Sequence, residues 1–180
     1  YEAWNYEKKP TYRCKNCLNM STRPRIVFDT RGWCNACCWS EEKKKLDWSE
    51  RKNKLIELLE NSDSPSGYNC IVPVSGGKDG SYVSYQLKEI YKARPLAVTI
   101  RPPLEMELGK KNLNNFVEAG YDHLHITPNQ EVMKQINKIG FIEKGFPYYG
   151  FLVAIHTAVL RIANNFNINL IFYGEDGEVE

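Results

Sequence analysis

The chain has 180 residues, 42% of them hydrophobic and 26% charged, the balance of a globular protein with one good core and room for a small module. A net charge of +2 excludes a field strong enough to demand nucleic acid or an anionic membrane as partner. No apolar run approaches the roughly 20 residues of a membrane span, and the first residues carry no signal-peptide core, so the sequence predicts a cytoplasmic protein. A start without Met and an abrupt end at Glu178-Val179-Glu180 predict a trimmed chain whose last domain continues further.

Residues 1–13 are polar and aromatic and yield no firm element. Cys14-Lys15-Asn16-Cys17 and Cys34-Asn35-Ala36-Cys37 follow, with sixteen residues between the two pairs. Each C-x2-C puts both sulfurs on one side of a tight turn, and two such knuckles give four thiolates for one tetrahedral zinc. Disulfides are the alternative, and a chain without secretory features argues for the metal. Cys38 competes with Cys37 as fourth ligand. Residues 26–28 read as a strand between the knuckles, and Gly32 as a turn residue. So short a segment has too little core to fold unaided, so the metal would supply its folding energy. Residues 1–45 thus form a zinc-ribbon module whose zinc is structural, since four sulfurs leave no open position. Lys8, Lys9, Arg13, Lys15, Arg23, Arg25 and Arg31 outnumber Glu2, Glu7 and Asp29 in it, an excess read as solvated charge rather than a nucleic-acid site.

Residues 41–45 are a charged link, and residues 46–67 a linker helix with its end. Asp47 is its predicted N-cap, with Glu50 reaching back in a capping box, and Leu55, Ile56, Leu58 and Leu59 are its buried face. Residues 62–67, rich in Ser, Pro and Gly, end it.

Residues 68–180 form the third region. An apolar strand at Cys70-Ile71-Val72-Pro73-Val74 runs into Ser75-Gly76-Gly77-Lys78-Asp79-Gly80-Ser81, and a helix with Val83, Leu87 and Ile90 on one face follows. Two adjacent glycines let several N–H groups point into one concavity, and the helix N-terminus adds partial positive charge, so the turn suits phosphate. Neither G-x-x-x-x-G-K-[ST] nor G-x-G-x-x-G is present. Further strands are expected at 95–100, 123–127 and 168–173. Between them come helices carrying Leu113, Phe116 and Val117, then Val132, Met133 and Ile136, then Phe151 through Phe166, with a loop around Gly140 to Pro147. Strand–helix alternation predicts an α/β fold with an open, doubly wound parallel sheet, Rossmann-like in layout.

Ligands bind such sheets at the carboxyl ends of the strands. Those ends carry the glycine turn, Thr99-Ile100-Arg101, Thr127-Pro128-Asn129 and Gly174-Glu175-Asp176. Arg101 is a candidate for a phosphate or sugar, with Asn129 and Asp176 as further substrate candidates. His123 and His125 share a strand face, His156 reads as a core residue of an apolar helix, and the three make no metal set. Cys70, inside the first strand, is expected to be buried and inert.

The run Ser75-Gly76-Gly77-Lys78-Asp79 resembles the S-G-G-x-D-[ST] loop of the PP-loop ATP pyrophosphatases, with Gly80 where a hydroxyl residue is usual and Ser81 one place later. The resemblance implies an adenine-nucleotide α-hydrolase-like fold and cleavage of ATP between its α- and β-phosphates. It makes residues Val74, Ser75, Gly76, Gly77, Lys78, Asp79, Gly80, Ser81 and Thr99 the ATP-binding set. Lys78, Asp79 and Glu175 become the catalytic candidates, with Asp79, Glu175 and Asp176 able to hold Mg²⁺.

A wider resemblance takes in the cysteine knuckles, Asp47-Trp48 with Arg51, residues 68–79, residues 95–99, Gly109 with Asn112-Leu113, Thr127-Pro128-Asn129 and Gly174-Glu175. Together these are similar to the N-acetyl sugar amidotransferases of bacterial surface polysaccharide, O-antigen and nonulosonic acid biosynthesis. The family implies that ATP adenylates the acetamido oxygen of a free or UDP-linked N-acetyl sugar. Ammonia from a separate glutaminase subunit then displaces AMP, leaving an acetamidino group. Gly145-Phe146-Pro147 stands where that family has an acidic turn. A homo-oligomer is a further expectation. The alternatives are a PP-loop tRNA-thiolating enzyme with zinc knuckles, which needs a reactive cysteine near the ATP, and a non-catalytic nucleotide-binding scaffold.

Overall fold

The computed structural model describes residues 10–175. The chain divides into two compact units, one ending at Arg51 and the other beginning at Lys52.

In the first unit, antiparallel bridges between Arg13 and Met20 and between Phe28 and Cys34 close two small loops. Helix α1 (Asn35–Lys43) follows. The interior is three buried cysteines, Cys14, Cys34 and Cys37, with Ile26, Phe28 and Trp33 packed around them. Asp29 organises the turn between, its Oδ1 accepting N–H bonds from Arg31 and Trp33 at 2.9 Å each. Those bonds, offset in part by burial, and the Arg31 guanidinium hold its carboxyl at about 2. Gly32 turns the chain there with φ +79°.

Two expectations change in this unit. The strand at 26–28 contracts to a single bridge at Phe28, and the link expected at 41–45 begins as the last turn of α1, through Lys43. The second knuckle is itself the first turn of that helix, since Cys37 and Cys38 both donate N–H bonds to the Cys34 carbonyl. Only Cys37 of α1 is buried, so no apolar period announces the helix.

Helix α2 (Trp48–Glu60) begins as its cap predicts, the Glu50 N–H donating to Asp47 Oδ1 at 2.9 Å. Leu55 and Leu59, on its second half, pack into the core of the α/β unit. Leu58 is exposed instead.

The second unit contains β1 (Cys70–Pro73), α3 (Lys78–Tyr85) with a π-helical turn over Gln86–Ile90, β2 (Pro95–Ile100) and α4 (Glu107–Glu118). Then come β3 (His123–Ile126), α5 (Gln130–Lys144) and α6 (Tyr149–Phe166). The three strands are parallel in the order β1-β2-β3, with Ile71 opposite Leu96 and Thr99 opposite His125. Alternation along each strand divides the core. Cys70, Val72, Val74 and Ala97 meet Leu59, Leu87 and Phe116 on one side. Ile71, Leu96, Val98 and Ile100 meet Val159, Ile162 and Ala163 of α6 on the other. Helices on both faces make the sheet doubly wound, and β2, buried at all six positions, reads as a covered central strand should.

The strand expected at 168–173 is reduced to one parallel bridge, Ile171 with Ile71. Ile71 donates to Leu170 O and accepts from Phe172 N–H, both at 2.9 Å. The next β1 residue facing that side is Pro73, which has no N–H to continue the ladder. This segment still lies beside β1 on the edge away from β2, so the strand order reverses at β1. Gly140 is not in a loop, because α5 runs through it. A Cβ there would collide with Tyr149 Cβ, so the missing side chain lets α5 and α6 cross closely.

Candidate functional site

Order reversal at β1 creates the crevice in which α/β sheets bind ligands, and the glycine turn leaves the sheet at that point. Val74 N–H donates to Val98 O at 2.9 Å, the last rung before the turn. Gly76 then adopts φ +79°, and a Cβ on it would sit 2.5 Å from Gly109 O on α4. Only glycine serves both the positive φ and the close approach. Gly77 is the N-cap of α3 and no side chain caps that helix start, so its first N–H groups remain available to an anion.

Gly80, which departs from the PP-loop pattern, has a steric reason. A Cβ there would lie 2.7 Å from Pro73 O, and one on Gly174 would lie 2.6 Å from Gly80 N. The start of α3 is pressed against both strand ends, leaving no room for a hydroxyl side chain at 80. Ser81 Oγ, one place on, donates to the Gly77 carbonyl at 2.8 Å. Lys78 and Asp79 are exposed and pair with each other at 2.6 Å.

A cavity of about 370 Å³ opens beside the turn, bordered by Ser75, Gly76, Gly77 and Thr99 from the predicted set. Its other wall is the segment from Pro102 to Leu113, which the sequence reading missed. Leu104, Met106 and Leu108 are 74%, 76% and 66% exposed there, so they contribute little to the core and present an apolar rim to whatever enters. Three large apolar residues from a strand end into the first turn of the next helix were the available signal. Glu105 also borders the cavity and pairs with Arg101 at 3.1 Å.

Other candidates stand elsewhere. Asn129 Oδ1 accepts N–H bonds from Glu131 and Val132 at 3.1 Å each, so it caps α5 rather than facing the cavity. Glu175 is exposed, directly after the Gly174 contact with α3, and Asp176 lies outside the described residues. His156 is exposed, not a core residue, with its ring 6.4 Å from that of Tyr173. Cys70 is fully buried and burial pushes its thiol up to about 12, as expected of an inert residue. Among the described residues no carboxylates cluster to hold Mg²⁺. Magnesium commonly arrives with phosphates and needs only one or two protein carboxylates. A second cavity of about 360 Å³ includes Lys88 and Arg94, but Lys88 already donates to Gly120 O and Arg94 to Gly67 O and Asp63.

The four knuckle cysteines do gather. The sulfurs of Cys14, Cys17, Cys34 and Cys37 all lie within 4.8 Å of one another, with Cys14–Cys37 at 3.8 Å and Cys17–Cys34 at 3.5 Å. Tetrahedral zinc with bonds of 2.3 Å spaces its sulfurs about 3.8 Å apart, so the set fits the ion. Cys34 N–H and Asn16 N–H point at the Cys14 sulfur. Burial opposes its ionisation, but backbone donors from Cys17, Cys34 and Asn16 outweigh that and hold the thiol at about 6. Cys37, despite a hydrogen bond with Asn16, is pushed up to about 12 by Cys17, burial, Cys34 and Cys14. Four thiols in one nest shed their last protons only to a cation. Cys38 donates instead to Asp29 Oδ2 at 3.6 Å, so Cys37 is the fourth member.

Fold and site together define an α/β protein with an anion-ready glycine turn and a separate four-cysteine metal unit. No known family's sequence profile matches the chain. An uncharacterized protein of Methanocaldococcus jannaschii is 30% identical over 90 residues, 49% of this chain and 32% of the relative. The chain therefore spans about a third of that relative's length. A crystal structure described as a predicted subunit of tRNA methyltransferase from the same organism is similar with a TM-score of 0.44 and 21% identity. The similarity covers 63% of this chain and 57% of that one. Likeness at that level transfers neither substrate nor activity.

Proposed function

We propose that the α/β unit binds ATP with its polyphosphate on Ser75-Gly76-Gly77 and the start of α3, and transfers AMP to an oxygen acceptor. One observation carries this reading: an uncapped helix start behind a Gly-Gly turn, at the edge where strand order reverses, beside an apolar-rimmed cavity. The acceptor oxygen would attack the α-phosphorus, the bond to the bridging oxygen toward the β-phosphorus would break, and pyrophosphate would leave. Backbone N–H groups of Gly76 and Gly77, the Lys78 cation and the Ser75 hydroxyl would meet the charge that builds on the leaving group. Asp79, and Glu175 beyond Gly174, would accompany Mg²⁺ arriving with the phosphates. Zinc in the cysteine unit, when bound, supplies folding energy rather than chemistry.

Two acceptor classes follow from the readings above. One is the acetamido oxygen of an N-acetyl sugar, with ammonia from a glutaminase partner displacing AMP. The other is tRNA, the substrate named for the similar crystal structure. The comparisons add nothing to the sugar arm. Residues 10–34 carry Arg13, Lys15, Arg23, Arg25 and Arg31 against Asp29, but Arg31 is engaged with Asp29 and Glu41, so this charge does not decide between the two. Against thiolation by this chain's own sulfur stands Cys70, too buried and too weakly acidic to attack or carry sulfur.

The test is direct ATP binding by calorimetry, then AMP and pyrophosphate release with tRNA and, separately, with free and UDP-linked N-acetyl sugars plus ammonia. Binding of Mg-ATP with AMP release in one arm supports the reading and names the acceptor. A folded, zinc-loaded chain without affinity for ATP would remove it.

A further inference from the structure

A hydrogen-bond chain ties β3 to the phosphate turn, and none of the chemistry above uses it. His123 and His125 project from one face of β3 with their rings 6.0 Å apart, and His125 borders the cavity. His123 Nε2 lies 2.8 Å from Thr99 Oγ1. Thr99 Oγ1–H donates to the Val74 carbonyl at 2.7 Å. A hydroxyl has one proton and a carbonyl can only accept, so that proton is committed to Val74. Toward His123 the hydroxyl oxygen is therefore the acceptor, and Nε2 carries the hydrogen. Burial and the neighbouring His125 hold the ring below its ordinary 6.5, so at neutral pH it is the uncharged Nε2–H tautomer. Thr99 is only 4% exposed.

Val74 is the residue from which the turn departs. Its N–H is fixed on Val98 and its C=O on Thr99, so β2 holds both polar groups of the last residue before Ser75. The direction in which Ser75-Gly76-Gly77 leaves the sheet is set there. We propose that His123 is a positioning residue for the phosphate-binding turn: its Nε2–H fixes the Thr99 hydroxyl on the Val74 carbonyl and so pre-orients the Gly76 and Gly77 N–H groups. The consequence for ligand affinity rests on the ATP reading, whereas the ordering of the turn does not.

The experiment compares His123→Leu, His123→Gln, Thr99→Val and the His123→Leu/Thr99→Val double variant in the full chain. ATP affinity is measured by calorimetry, amide exchange of Val74 by NMR without nucleotide, and thermal stability alongside. Loss of the donor weakens ATP binding about tenfold and speeds exchange of the Val74 N–H, bonded to Val98 O in the intact turn, by a similar factor. Gln, whose Nε2 reaches where the imidazole Nε2 stands, restores both to within about twofold. The double variant is no worse than Thr99→Val, because one chain is broken once. A merely structural histidine would lower the melting temperature and leave local exchange and affinity unchanged. Wild-type exchange at Val74 in a folded His123→Leu protein overturns the proposal, as does failure of Gln to restore it. If Leu prevents folding, His123→Asn, polar but one carbon too short, takes its place. A wild-type chain that fails to bind ATP removes the function proposed above, while the exchange data still decide the relay.

Discussion

Glycines 76 and 80 show how single residues govern this site. At Gly76 the backbone is left-handed and a Cβ would meet Gly109 O at 2.5 Å, so Gly76→Ala must move both the turn and α4. The expected outcome is a loss of about 1–3 kcal/mol in denaturant titrations, together with loss of ATP binding in the calorimeter. Gly80→Ser, which would restore the hydroxyl of the PP-loop pattern, is expected to weaken the protein rather than improve it, because Pro73 O stands 2.7 Å from the new Cβ. Higher ATP affinity in a Gly80→Ser protein of unchanged stability would contradict that account. His123 makes a pH prediction. Its folded-state pKa lies below the ordinary 6.5, so the unfolded chain takes up the proton first as pH falls. Stability from this group is complete above about pH 6.5 and declines below it, and His123→Gln flattens that limb of a pH–melting curve. The motif glycines were legible because turn chemistry is local. The reason Gly80 is a glycine was not, because the atoms that exclude a side chain there belong to Pro73 and Val74, where β1 ends.

Among the elements, the four-cysteine nest is the one whose spacing said most. Two C-x2-C turns constrain their own sulfurs, and only the pairing of the two knuckles needed the fold. The choice between Cys37 and Cys38 did need it. Helix α1 turns Cys37 inward and leaves Cys38 against Asp29. Cys37→Ser should therefore lose zinc while Cys38→Ser keeps it, measured as metal per chain by atomic absorption. Chelation should erase the dispersed NMR signals of residues 14–43, since the interior of that unit is little more than the ligands themselves. Helices α5 and α6 carry the opposite lesson. Gly140 reads as punctuation in the sequence, yet it is a packing residue. Gly140→Ala should cost about 1–3 kcal/mol in an equilibrium unfolding titration because Tyr149 occupies the space.

At the scale of the molecule, the two units are built differently, one around four cysteines placed to hold a metal and the other around a two-sided core on β2. Calorimetry should register this as different sensitivities. A chelator removes the transition of the cysteine unit, and Mg-ATP at about 100 times its Kd adds about 2.7 kcal/mol to the α/β unit. An α/β transition that ignores Mg-ATP would count against the turn as its binding site. Among the described residues no helix is long and apolar enough to cross a membrane.

By itself the sequence determined the four-cysteine nest to within one cysteine, the glycine turn, the parallel α/β alternation and the cap of α2. All of these rest on spacing and period within a few residues. Only the tertiary structure decided that residues 170–172 lie beside β1 and turn its end into a crevice, and that the segment from 102 to 113 walls the cavity. It alone linked His123 to the turn through Thr99. Each of those facts joins residues 24 or more positions apart, where no local period carries information and only strand pairing brings the atoms together.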